Sequence, residues 1–140
     1  MTKTIETAIF IAPVAKARAR TVTLRKGKNA GKVITYTPRK TAKAEAEIRR
    51  HLGDLLVKFD TGVPLCLSVT FWHRRPKSAP KDREYPVTTP DVDNEAKLVM
   101  DAMKPNIYSS DSQIVTALLR KRYCLPGQVP RIEIYLREEV

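Results

Sequence analysis

Cysteine is nearly missing from this sequence: Cys66 and Cys124 are the only two in 140 residues. They stand far apart in apolar surroundings. That excludes a disulfide framework and a zinc knuckle, and predicts two reduced core thiols in a cytoplasmic protein. Histidine is equally scarce. Neither His51 nor His73 has a Cys or second His at metal-binding spacing, so the first reads as helix surface and the second as a strand end. Glycine occurs five times. The Gly27 and Gly31 loop lacks the Walker spacing, and no nucleotide-binding fingerprint follows a strand, so no small-molecule cofactor is expected. No Ser-His-Asp or Cys-His arrangement supports a covalent protein nucleophile. No apolar run approaches a membrane span. Glu6 interrupts the apolar stretch near the start, which argues against a signal peptide. Acids are also short: 15 against 26 Lys and Arg give a net charge of +11. Such an excess points to a polyanionic partner, nucleic acid ahead of an anionic membrane surface.

What is present fits one domain over residues 1–140, since 42% of residues are hydrophobic and 29% charged. Ile5 to Ile11 reads as a strand. Residues 14–35 read as a basic loop or loose hairpin. A helix starts at Thr37-Pro38, with Ala44, Ile48, Leu52, Leu55 and Phe59 at helical spacing, and Gly62 and Pro64 close that segment. Leu65 to Trp72 alternates as a strand. Four prolines and many charges between 73 and 90 predict a long mobile loop. A second helix spans about 91–103. Strands follow at 113–123 and around Ile132 to Leu136. The order predicts an α+β (mixed α/β) fold, with two helices on a small mixed sheet.

Charge is unevenly distributed. Residues 14–50 hold twelve Lys or Arg and two Glu, whereas 91–112 hold five acids and two lysines. Acids near a helix start favour its dipole and need no further reason. A cation site beside a polyanion site is the sharper reading, because phosphodiester cleavage uses basic groups for the backbone and carboxylates for Mg²⁺. At about 100° per residue, Val92, Ala96, Val99, Met100 and Met103 form an expected buried stripe. Asp93, Asn94, Lys97 and Asp101 share a polar face, and Asp91 precedes the first turn.

The runs Pro90-Asp91-Val92-Asp93-Asn94-Glu95-Ala96-Lys97, Met100-Asp101-Ala102-Met103 and Tyr108-Ser109-Ser110-Asp111-Ser112-Gln113-Ile114 resemble the RusA family of Holliday-junction resolvases, in order and in spacing. Pro13, Lys16, Arg18 and Arg20, followed by Tyr36-Thr37-Pro38, are similar to a common form of its N-terminal part. The resemblance implies a homodimeric, Mg²⁺-dependent endodeoxyribonuclease (Mn²⁺ as substitute) that resolves four-way junctions and is often phage-encoded. It implies metal-binding catalytic roles for Asp91, Asp93 and Asp111, and a catalytic-site role for Lys97. Asn94 and Asp101 match recurrent positions with supporting or structural roles. Ser110 departs from the pattern, which often has an acid there.

Candidates for phosphate contact are Lys16, Arg18, Arg20, Arg25, Lys26, Lys28, Lys32, Arg39 and Lys40, with solvated surface charge as the rival role for each. Trp72 fits either base stacking or a cover over the sheet, and Phe71 fits the core. The sheet around Trp72 and Ile132 to Leu136 is a candidate source of apolar dimer surface, although the sequence does not place it. Two other function classes remain: a non-catalytic basic nucleic-acid-binding protein, which needs no Mg²⁺, and an interaction protein whose acidic helix docks a basic partner.

Overall fold

The computed structural model describes residues 3–17, 20–36 and 38–140. The expected architecture is present. Strands β1 (Thr4–Ile9), β2 (Arg20–Thr23) and β3 (Val33–Tyr36) precede helix α1 (Arg39–Gly53). Then come β4 (Leu65–His73), α2 (Val92–Met103), β5 (Ile114–Tyr123) and β6 (Arg131–Glu138). The main sheet has the order β1-β6-β4-β5, and β2 and β3 form a separate two-stranded sheet. β4 and β5 are parallel, joined through α2, while β6 is antiparallel to both β1 and β4.

Alternation explains the layering. Leu65, Leu67, Val69 and Phe71 of β4 and Ile132, Ile134 and Leu136 of β6 are buried on one face. Ile48 and Leu52 of α1 and Leu98, Val99 and Met103 of α2 join them in one core. Each such aliphatic side chain contributes about 1.5–3 kcal/mol on burial. Because Ile132, Ile134 and Leu136 are spent on this core, they offer no apolar surface to a second copy, contrary to expectation. Phe71 is core as expected. Trp72 lies on the opposite sheet face, with the Arg131 guanidinium 4.4 Å from its ring centre and its indole N–H donated to Glu133. Cys66 and Cys124 are free but only half-buried, not core residues.

Three further expectations need correction. α1 ends at Gly53 and does not run to Phe59; Gly53 is a poor helix former, and Leu56 takes a left-handed φ of 54°. Phe59 is buried nonetheless, from the connecting segment, where its N–H bonds the Ile107 carbonyl at 2.8 Å. The buried stripe of α2 is rotated: Glu95, Leu98 and Ala102 are inside, while Val92 and Met100 are partly buried. Finally, the segment after β4 is irregular but pinned. The Arg75 guanidinium donates to the carbonyls of Pro80 and Arg83 and covers Tyr123, and Arg122 stacks on Tyr85. Arg18 and Thr37 lie outside the described residues.

Candidate nuclease site

Asp91 is extended, at φ −71° and ψ 144°, and its carbonyl accepts the Glu95 N–H to open α2. Asp91, Asp93, Asn94 and Lys97 are all exposed on the polar side of this helix start. The side chains of Asp91, Asp93 and Lys97 have no hydrogen-bond or ion-pair partner among the described residues, so the two carboxylates are free to take a ligand.

The approach to Asp91 is held from below. The Lys121 ammonium, on β5, donates to the carbonyls of Thr88 at 2.7 Å and Pro90 at 2.6 Å. One turn into α2, the fully buried Glu95 carboxylate meets His73 Nε2 at 2.9 and 3.1 Å, tying the helix to the end of β4. Neither Lys121 nor Glu95 stood out in the sequence. Helical geometry does place Glu95 about 60° from the apolar Val92 direction, and an acid at that edge of the apolar stripe was the available signal.

Asp111 sits elsewhere. Its carboxylate accepts the Lys104 ammonium at 2.9 Å and the Tyr108 hydroxyl at 2.8 Å, and that hydroxyl also reaches the Met100 carbonyl at 3.2 Å. These partners belong to the C-terminal end of α2. From Asp93 to Met100 is seven residues, about 10 Å along the helix. Asp111 thus contacts the C-terminal half of α2, away from Asp91 and Asp93 at its start. Among the described residues, no group of three His, Cys, Asp or Glu side chains is placed to hold a metal ion. The hydrogen bond to Asp111, together with its charge, raises the Lys104 pKa above the ordinary 10.5. Burial, then the bond to Asp111, pushes the Tyr108 phenol well above its usual range.

The turn carrying Asp111 is rigidly built. Gln113 is buried; its amide oxygen accepts the N–H groups of Ser109 and Ser110, and its amide nitrogen donates to the carbonyls of Asp60 and Val63. Ser110 caps the single 3-10 turn Asp111–Gln113, its hydroxyl accepting the Ser112 N–H at 3.2 Å.

Asp101 and Lys16 pair with each other. The Lys16 ammonium lies 2.5 Å from Glu45 and 3.3 Å from Asp101, and Asp101 also faces Lys104 at 3.5 Å. Burial lowers the Lys16 pKa, but its bonds to Glu45 and Asp101 outweigh that and hold it above normal. Its backbone N–H bonds the Asn94 carbonyl at 2.9 Å. Lys16 thus fastens the N-terminal segment to both helices. Arg20, Arg25, Lys26, Lys28, Lys32, Arg39 and Lys40 are all exposed. Arg39 and Lys40 open α1, whose first turn has no acid; cations there oppose the helix dipole.

No helix is long and apolar enough to cross a membrane among the described residues. A family model described as endodeoxyribonuclease RusA matches residues 11–137. The chain is also 39% identical over 75 residues to the uncharacterized protein YqaN of Bacillus subtilis (strain 168), an alignment covering 54% of this chain and 51% of that protein. The chain therefore spans about half the length of this curated relative.

Proposed function

The chain belongs to the endodeoxyribonuclease RusA family, and from that premise we propose that it is a Mg²⁺-dependent resolvase of four-way DNA junctions. In this reading residues 1–140 form one nuclease domain that works as a homodimer in a bacterial or phage-infected cytoplasm. Paired, symmetric nicks separate the junction. The observation that carries the reading is the pair of exposed, unpartnered carboxylates at the start of α2, with Lys97 beside them, in a chain whose net charge is +11.

Carboxylate oxygens suit a hard divalent ion, so Asp91 and Asp93 would hold it. When bound, the ion supplies charge neutralisation at the scissile phosphate and a more acidic water. Lys97 places a positive charge one turn from Asp93, where it stabilises charge developing on phosphate oxygens. Exposed Arg39, Lys40 and the basic residues before them hold the DNA backbone. Asp111, at the other end of α2, completes the carboxylate set from a second chain, with Asn94 and Asp101 in supporting roles. The two-fold symmetry of a homodimer then sets two equivalent sites against two strands of like polarity.

Synthetic four-way junctions, duplexes and single strands, each with and without Mg²⁺ (or Mn²⁺), test this on a denaturing gel. Cleavage of the junction alone, only with metal, is expected. Asp91→Asn and Asp93→Asn should abolish it while retaining junction binding and the wild-type circular dichroism spectrum. Metal-independent cleavage, or equal cutting of plain duplex, would overturn the reading.

A further inference from the structure

The β2–β3 hairpin is anomalous as a structural element. All eight residues of its two strands are exposed, and it pairs with no strand of the main sheet. A two-stranded ribbon alone is marginally stable in water. Yet this one keeps a regular antiparallel register from Arg20↔Tyr36 to Thr23↔Val33, extended by the Leu24 N–H bonding the Lys32 carbonyl at 2.9 Å. Its turn is closed by Gly27 and Gly31, both at positive φ.

Its composition is one-sided. Residues 20–36 contain five basic residues and no acid. Four of the five, Arg25, Lys26, Lys28 and Lys32, cluster at the tip. Further back the ribbon exposes apolar side chains: Val22 and Ile34 are cross-strand partners, 41% and 43% exposed. A ribbon charged at +5 repels a second copy of itself and attracts a polyanion. From Arg20 to Leu24, where the pairing ends, the ribbon rises about 13 Å.

We propose that this ribbon lies in the major groove of a DNA arm beside the cleavage point, its basic tip on phosphates and Val22 and Ile34 toward base edges. The assignment to DNA rests on the nuclease reading above. The groove follows from size and chemistry: an undistorted major groove about 12 Å wide admits a two-stranded ribbon, whereas a minor groove of about 6 Å has to be widened first. Apolar side chains carried into that groove meet thymine methyl groups, which only the major groove displays.

The test is DNA binding measured by fluorescence anisotropy without Mg²⁺. Failure of the nuclease reading, seen as absent cleavage, therefore stays separate from failure of this one. The fourfold variant R25A/K26A/K28A/K32A alters only exposed residues. It should bind four-way junctions at least tenfold more weakly, with a log–log salt slope lower by about 3 to 4. A second measurement uses the unaltered protein, so misfolding cannot mimic it. Junction arms carrying glucosylated hydroxymethylcytosine, which fills the major groove, should weaken binding at least tenfold. Netropsin, which fills the minor groove, should leave it unchanged. Wild-type affinity of the fourfold variant would overturn the proposal, as would displacement by netropsin with glucosylated arms bound normally.

Discussion

A lysine ammonium that donates to two backbone carbonyls of one short segment does more than occupy space. Lys121 bonds the carbonyls of Thr88 and Pro90, and Asp91 is the next residue along. The carboxylate that opens α2 is thus placed by a cation on a neighbouring strand, which makes Lys121 a positioning residue. Lys121→Met should leave junction affinity near wild type. The Mg²⁺ concentration for half-maximal cleavage should rise about tenfold, the lower end of what losing a ligand's supporting partner costs. Lys121→Arg, which keeps the donors, should restore part of it. A half-maximal Mg²⁺ concentration that does not move in Lys121→Met would show that the segment holds itself. Lys121 was not readable in advance, because its partners are backbone carbonyls some thirty residues away in the chain.

At the level of elements, α2 is held by a buried polar clasp as well as by its apolar stripe. Glu95 is fully buried and His73 is its partner. Removing one member of such a pair leaves the other without a partner, at a cost of about 1–3 kcal/mol. His73→Ala should therefore lower the urea midpoint sharply. The double replacement His73→Phe/Glu95→Leu should recover most of the loss, because apolar groups of similar volume need no partner. Equal midpoints for the single and double variants would refute the clasp. The same helix shows what periodicity can and cannot reveal. Its limits, expected near 91 and 103, lie at 92 and 103, since Pro90 and Pro105 bracket a regular apolar repeat. Its rotation is not legible in the repeat, because Val92 and Met100 look as apolar as Leu98 and Ala102. The neighbouring sheet tells the two helices apart, and its order is a non-local fact. α1 is shorter than its repeat suggests for a related reason: Leu55 and Phe59 continue the helical spacing, but Phe59 reaches the core from an irregular segment instead. The carboxylates of the candidate site were legible as residues. Their separation along α2 was not, since a motif records order and spacing but not which end of a helix a later turn meets.

For the whole molecule, the separation of Asp111 from Asp91 and Asp93 makes a genetic-style test decisive. Homodimers of Asp93→Asn and of Asp111→Asn should both be inactive. If each site draws Asp93 from one chain and Asp111 from the other, a heterodimer of the two variants has one intact site. On a cruciform plasmid it should give nicked circles at about half the wild-type initial rate, and almost no linear product. An inactive heterodimer would confine each site to one chain. The sheet order carries a different consequence, for the time at which this protein can come into being. β6 is the latest-made strand, yet it lies between β1 and β4 and is the sole neighbour of β1 in the main sheet. While the chain emerges from the ribosome, β4, α2 and β5 can assemble as a local unit, but β1 waits. Its six residues have no edge to join until residues 131–138 arrive, after nearly everything between them has been synthesised. Among the strands of this sheet, β1 is therefore made before the others and paired last.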